Sequence, residues 1–466
     1  NGKPPNQGMN LQTGPDSRRR RRNASLARLV ALALPSGCAS LIYELCWVQH
    51  FTWLTGNAFH AASSVIALFL LGLACGAWAA RRVRLRGRAS LLLLAGVELT
   101  IAMASLAGWL AIRFLSSHED TALIQAVLSS DLAVRAILLP MALFPSTLLM
   151  GATVPILTST VRHDTIAVRR AVPLLIAANT CGAVVGCLLT GLYLVENWGL
   201  DGAVVAAVFL SLATALLALL LGGKNSSAEA ASVTTNATDA SPALPRAGKP
   251  WPAALFPLGA VAFANGLALL ALEIIWSRAL TPFVGSSSYA LTAILASFLL
   301  ALAVGTLLSR LWVSRKWLSV TSLGWQQLAT AVLALLSSMA IVYITQSTFI
   351  GDSIANSQWE LWTYSKLALC LFVVAPTVIV GGMTIPAGIA LAQTHLSAAP
   401  RAVGVILFFG TLGNVAGVLA ANWLIIPQVG VLPAITVCAS ICLGGAVLCL
   451  YWQMRSQRWW HTALAT

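Results

Sequence analysis

Charged side chains are scarce in this chain. Asp, Glu, Lys and Arg together make up 9% of 466 residues against 58% hydrophobic ones, and the mean hydropathy is +0.83. A soluble protein of this length could not hide so much apolar surface, whereas a bilayer accepts it, so the composition is that of an integral membrane protein. Strand-type alternation of polar and apolar residues is also absent, which leaves helices to satisfy the backbone in lipid. No glycine-rich nucleotide loop followed by an acidic residue is present, no RNA module is visible, and no stretch outside the apolar runs is long enough for a catalytic domain. Neither catalysis nor a cofactor is expected. The nine cysteines all fall inside apolar runs, where Cys is a small packing residue. Cys438 and Cys442 are one helical turn apart but lack the second ligand pair that a metal site needs, and the six histidines show no ligand spacing.

What the chain does have is a copy of itself. Residues 36–82 recur at 265–311 with a constant shift of 229, in the same direction. The shift pairs Gly37 with Gly266, Glu44 with Glu273, Trp47 with Trp276, Gly56 with Gly285, Phe69 with Phe298 and Gly76 with Gly305. A later stretch, shifted by 231, sets Pro145, Gly151, Thr153 and Pro155 against Pro376, Gly382, Thr384 and Pro386. Thr180, Gly182, Gly186 and Gly199 meet Thr411, Gly413, Gly417 and Gly430 in the same way. Prolines, glycines and a carboxylate kept in register mark a true internal repeat.

Runs of about 20 apolar residues, enough to cross a hydrocarbon core of about 30 Å, number six in each half. They fall near 27–49, 58–80, 89–113, 134–160, 171–195 and 199–222, then 253–276, 287–311, 318–345, 364–392, 402–425 and 429–452. The expected architecture is an all-α bundle of twelve membrane helices, in two parallel six-helix repeats at 26–222 and 251–453. A basic tail at 1–25, a flexible Ser/Ala/Thr/Pro-rich linker at 223–250 and a C-terminal tail at 454–466 complete it. With the N-terminus placed inside, all of the 28 basic residues except Arg113, Arg135, Arg278 and Lys366 fall on inner segments. That is the bias expected of cytoplasmic loops, so both termini are predicted cytoplasmic. The net charge of +14 follows this sidedness; it predicts affinity for anionic lipid headgroups, not for nucleic acid.

Inside the spans, ionisable groups are few. Glu44, Glu273 and Glu98 stand out, because a carboxylate in a membrane helix costs about 3 kcal/mol on insertion scales and so faces protein or water, often on a pathway. Sixteen residues separate Arg28 from Glu44, about 24 Å of helix, which places Glu44 in the outer third of the bilayer with Glu273 at a similar level. Two readings of the pair are open. Either each carboxylate accepts hydrogen bonds from the start of the following helix, from Arg278 or from a nearby Trp, or the two together coordinate a cationic solute between the halves. In the second reading Trp47, Trp276, His60 and Tyr289 complete the binding site. Glu98, whose counterpart is read as Gln326, is the unrepeated charge and the candidate coupling residue. Pro145, Pro155, Pro376 and Pro386 must bend their helices and are candidate hinges. Gly182 and Gly186, like Gly413 and Gly417, allow close helix contact, with Asn179 and Asn414 as interhelical hydrogen-bonding groups.

The IYELCWVQ and ALEIIWSR segments, the FLLGLACG and FLLALAVG runs, the LLMGATVP and IVGGMTIP kinks and the AANTCGAVVG stretch resemble the membrane region of the fused major-facilitator/spermidine-synthase-like bacterial proteins. The resemblance spans nearly all of residues 27–452. It implies a transporter-like protein of a bacterial inner membrane with a link to polyamines, without the aminopropyltransferase domain. The function expected is movement or binding of a small, cationic, polyamine-like solute where the repeats meet. The alternatives are an accessory or scaffold subunit that packs against other membrane proteins, or an anchor for a separately encoded aminopropyltransferase.

Overall fold

The structure is a computed structural model, and it describes residues 15–55, 58–83, 85, 87–118, 139–161, 165–224, 255–284, 288–313, 317–346, 359–394, 396 and 399–463. Among the described residues, eleven helical stretches are long and apolar enough to cross a membrane. One of them, Ala171–Gly222, runs for 52 residues, enough for two crossings, and it breaks at Gly199, where φ is 69° and ψ is −177°. The protein is thus an all-α integral membrane protein, with a helix for each of the twelve runs read from the sequence.

These are α1 (Pro15–Thr55), α2 (Ala58–Ala80), α3 (Arg88–Ser117), α4 (Leu139–Ser159), α5 (Thr165–Leu189) and α6 (Val195–Lys224) in the first half. The second half holds α7 (Leu255–Val284), α8 (Ser288–Val313), α9 (Val320–Gln346), α10 (Trp359–Gly382), α11 (Ala399–Ala420) and α12 (Val431–Ala463). A further helical piece, Thr384–Ala392, continues α10 beyond Met383. Because α1 begins at Pro15 and α12 continues to Ala463, parts of the segments expected as tails carry helix: residues 18–22 lie in α1 ahead of the span Leu26–Thr52. Most of the linker, from residue 225 to 250, lies outside the described residues.

Packing follows the repeat. In the first half α1 packs on α5, α2 on α4 and α3 on α6; in the second α7 packs on α11, α8 on α10 and α9 on α12. The repeated glycines make these contacts possible. A Cβ added to Gly182 would lie 2.0 Å from the carbonyl oxygen of Leu34, and one on Gly413 would lie 2.0 Å from that of Phe263. Gly186 meets Cys38 O at 2.4 Å, and Gly417 meets Leu267 O at 2.3 Å, in the same sense. The Asn414 amide adds an interhelical tie, its nitrogen lying 3.1 Å from Gly266 O.

One repeated feature has no signature in the sequence. The helical ladder widens into a π-turn at Thr190–Leu194 after α5 and again at Ala421–Ile425 after α11, matching positions at the shift of 231. The Thr190 hydroxyl donates to Gly186 O at 2.7 Å and the Asn422 amide to Val418 O at 3.4 Å, so each turn brings a side chain that caps a carbonyl of the preceding ladder. A left-handed glycine follows each turn, Gly199 and Gly430 (φ 82°).

The halves meet along two seams, α5 against α8 and α2 against α11. Each seam is the image of the other under exchange of the halves. Gly191 abuts the Thr292 hydroxyl in one, and Asn422 donates to Ser63 in the other; both residues of each pair are related by the repeat. Leu41, Leu45, Cys187 and Ala296 pack together at the first seam, and Leu270, Val418 and Ala67 at the second. Such an exchange is a pseudo-two-fold between parallel repeats.

The helix ends carrying Arg81, Arg88, Arg310 and Arg401 form a basic end, and there the halves close. Val154, Val161, Val172 and Ile176 of the first half join Leu255, Leu258, Ala402 and Ile406 of the second in one apolar cluster. Trp78 stacks on Phe408 with ring centroids 4.7 Å apart, and the Arg81 guanidinium lies 3.5 Å over the Trp78 ring. The two largest clusters each belong to one half alone. At the opposite end Arg113 pairs with Asp201 at 2.6 Å, both side chains about half exposed at 54% and 47%, and Trp109 Nε1 donates to the same carboxylate at 3.0 Å. A pair this exposed contributes little; R113A is expected to lower stability by about 1 kcal/mol or less in a thermal melt, and a loss of several would contradict that.

Candidate functional site

Glu44 lies eighteen residues beyond the first residue of its span, Leu26–Thr52, and Glu273 is eighteen beyond the first residue of Leu255–Val284. Equal positions on repeated helices bring them to one level. Each belongs to a stripe one helical turn long, because residues three and four apart share a helix face. Leu41, Glu44 and Leu45 form the first stripe, and Leu270, Glu273 and Ile274 form its copy. Since Leu41 and Leu45 pack into the α5–α8 seam and Leu270 into the α2–α11 seam, both carboxylates are carried toward the junction of the halves.

There they lie within electrostatic reach of each other, and Cys187 of α5 is within reach of both. Both glutamates are half-buried. Among the described residues neither has a hydrogen-bond donor or a cation as partner. Of the groups that the first reading of the sequence offered them, the turns opening the following helices, at 56–57 and 285–287, lie outside the described residues, and Arg278 and Trp276 are engaged elsewhere. Arg278 Nη2 donates to Asn422 Oδ1 at 2.6 Å, and Trp276 Nε1 donates to Ser337 Oγ at 3.1 Å. Lys366 donates to the carbonyl of Val284 at the end of α7. Neither carboxyl is tied into the fold by a side-chain partner among the described residues.

The other residues expected at this site divide. Trp47 and Trp276 are buried at 3% and 0% exposure, each in the core of its own half. Trp47 is about 60° round the helix from Glu44 at 100° per residue, on the side away from Leu41 and Leu45; these tryptophans fill the cores instead of lining the junction. The side chains of His60 and Tyr289 lie outside the described residues.

α4 runs unbroken through Pro145 and Pro155, and past Pro376 the backbone keeps helical angles through Met383 (φ −74°, ψ −16°) into Thr384–Ala392, although Pro386 has no N–H to offer the carbonyl of Gly382.

Glu98 is buried at 1% exposure and accepts a hydrogen bond from Ser36 Oγ at 2.6 Å. In the second half Gln327 Nε2 donates to Asn265 Oδ1 at 3.2 Å. Ser36 and Asn265 are equivalent at the shift of 229, which makes Gln327 the counterpart of Glu98 and corrects the sequence reading of Gln326 by one residue. The polar neighbourhood of Gln327 was not anticipated at all. Thr384 Oγ1 bonds Asn265 Oδ1 at 2.9 Å and Gln326 Oε1 at 3.1 Å, and Gln326 Nε2 reaches the Val380 carbonyl at 2.6 Å.

Asn422 is a further residue that the sequence did not single out. It links α7 to α2 by accepting from Arg278 and donating to Ser63, so one amide ties the halves together. N422L removes both bonds from a site exposed by only 7%, which is expected to cost about 1–3 kcal/mol. A melting temperature equal to that of the parent protein would count against the tie. A separate recess of about 390 Å³, lined by His50, Trp198, Gly199, Leu200 and Asp201, lies at the end opposite the basic one. All nine cysteines are free, and among the described residues no group of three or more His, Cys, Asp or Glu is placed to hold a metal ion.

No family model matches the sequence, and no curated protein does. Solved structures do match. The human organic anion transporter MFSD10 (TETRAN) aligns with a TM-score of 0.57 at 14% identity, over 91% of this chain and 99% of that one. A bacterial homologue of the iron transporter ferroportin in the outward-facing state aligns with a TM-score of 0.58 at 11% identity, over 92% and 99%. FucP, a Major Facilitator Superfamily transporter in the outward conformation, gives 0.54 at 12% identity, over 91% and 98%. The chain therefore has the fold of the major-facilitator transporters along nearly its whole length.

Proposed function

We propose that this protein moves a small cationic solute across a membrane, binding it between Glu44 and Glu273 where the two six-helix repeats meet. The observation that carries the reading is the pair of carboxylates, one from each half, at one level and within electrostatic reach of each other with no partner among the described residues. A cation with two amines, as in a polyamine, complements two acids set apart across a pseudo-two-fold; a single ammonium would leave one charge uncompensated. The resemblance of the Glu–Trp motifs to spermidine-synthase-linked membrane proteins favours the same solute class. Closure at the basic end leaves the approach to the acids from the opposite end, which carries Asp201 and Glu196. Alternation then consists of rocking one half against the other along the α5–α8 and α2–α11 seams.

Purified protein in liposomes is expected to take up radiolabelled putrescine or spermidine and to prefer them over a monoamine of equal length, with no uptake of organic anions. Absence of flux and of binding for every cation tested, together with co-purification of a stoichiometric membrane partner, would replace this reading with that of a scaffold subunit.

A further inference from the structure

The core of the first half holds three hydroxyls that the second half does without. Tyr43 of α1, Ser105 of α3 and Ser211 of α6 are each 0% exposed. The Tyr43 hydroxyl lies beside those of Ser105 and Ser211, so three helices bring polar atoms to one point. At the shifts of 229 and 231 their counterparts are Leu272, Ala334 and Cys442, which belong to one apolar cluster of the second half. The fold therefore closes this position without any strongly polar group, and the three hydroxyls are peculiar to one repeat.

Among the described residues none of the three has a hydrogen-bond partner. A serine or threonine inside a helix can bond the carbonyl three or four residues back, as Ser337 does to Ala334 O at 2.7 Å and Thr214 to Leu210 O at 2.8 Å. Ser105 and Ser211 do not. Nor do they bond Tyr43 directly, although they adjoin it. Neighbouring hydroxyls outside hydrogen-bond geometry leave the spacing that a bridging water closes. Internal waters serve buried polar groups of this kind, with about three hydrogen bonds per water, and three hydroxyls are on offer here.

We infer that Tyr43, Ser105 and Ser211 form an internal water-binding site between α1, α3 and α6, with one hydrogen bond from each helix to a single water. A hydroxyl donates or accepts as its proton rotates, so the trio can match both the protons and the lone pairs of the water. A metal cation suits the site less well. The three groups are neutral, and a buried ion needs a charged partner. The carboxyl within electrostatic reach of Tyr43 is that of Glu98, which is engaged by Ser36. Glu98 precedes Ser105 by seven residues, as Ser36 precedes Tyr43, which puts that pair two turns, about 10 Å, nearer the basic end. The first half is thus tied at this level through an exchangeable ligand, where the second half uses dry contact.

The site needs no transported solute, so its failure and that of the solute reading are separable. X-ray radiolysis of the protein in nanodiscs tests it, because hydroxyl radicals formed from a bound water mark the side chain beside it. After correction for intrinsic reactivity, Tyr43 is expected to be oxidised several-fold faster than Trp276, which is equally buried and whose N–H is taken up by Ser337. S105A/S211C, which installs the residues of the second half, should bring Tyr43 down to the rate of Trp276. S105A and S211A singly should each slow the labelling of Tyr43 and lower the melting temperature, since each takes a partner from the water. If the double variant does not fold, the single ones decide. Equal rates for Tyr43 and Trp276 in the parent, or a Tyr43 rate that both single variants leave unchanged, would overturn the site. A higher melting temperature in both S105A and S211A would overturn it as well, because the hydroxyls would then be dry. So would a stabilisation by sodium over choline that Y43F abolishes, which would make the occupant a cation.

Discussion

The E44Q/E273Q double variant is expected to lose saturable binding and uptake of polyamine-like cations while folding as well as the parent or better. Two effects of the charge oppose each other. Two acids within electrostatic reach of each other and without partners weaken the fold, so removing their charge relieves a repulsion. A solute held by the same pair gains its attraction from that charge. Removing one partner of a desolvated charge pair costs about 2 kcal/mol or more, so E44Q or E273Q alone should weaken binding about thirtyfold, and the pair together should bring it to background. Equilibrium binding and liposome flux, read beside a thermal melt, check both halves of the statement. Unchanged uptake in a folded double variant would move the site elsewhere. A large drop in melting temperature would mean that the carboxylates hold the fold together.

The second large effect concerns the helix crossings. Gly182→Ala would set a methyl group 2.0 Å from Leu34 O, and Gly413→Ala would set one 2.0 Å from Phe263 O. Both listeners are backbone oxygens, which cannot rotate aside, so α1 and α5, or α7 and α11, must part. Overpacking ordinarily costs 1–3 kcal/mol and occasionally more; at these four-residue glycine pairs the upper part of that range is expected, with loss of folded yield in the G182A/G413A double variant. Gly96 and Gly444 provide the contrast, since a Cβ there meets nothing within 4 Å. Gly96→Ala and Gly444→Ala should be neutral or stabilising by up to about 1 kcal/mol, from helix propensity alone. Equal melting temperatures across the four single variants would contradict the packing account.

Much of this molecule was legible in its sequence because duplication leaves covalent traces. A glycine that must admit a carbonyl in one half must do so in the other, so Gly182 and Gly413 announced two helix crossings at once. The glutamates were visible for the same reason, and their common level followed from residue counting. Direction round the helix was harder to read. Trp47 follows Glu44 by three residues, which suggested a shared site, yet the stripe of Leu41 and Leu45 fixes which face meets the other half and leaves Trp47 in the core. The register of Glu98 was missed by one residue because aligning Gly96 with Gly324 carries Glu98 onto Gln326, whereas the shift of 229 that relates Ser36 to Asn265 carries it onto Gln327. The π-turns at 190–194 and 421–425 could not be foreseen: they depend on a widened backbone ladder for which Thr190 and Asn422 carry no distinctive local pattern.

The central claim is that the two acids share one water-accessible junction between the repeats. Single cysteines at positions 44 and 273, in a background with the native cysteines replaced, test it by reaction with membrane-impermeant thiosulfonates of opposite charge. Both positions should react, the cationic reagent should be faster than the anionic one because the remaining glutamate draws it in, and a bound polyamine should protect both. Labelling of one position only, or equal rates for the two reagents with no protection, would contradict the account.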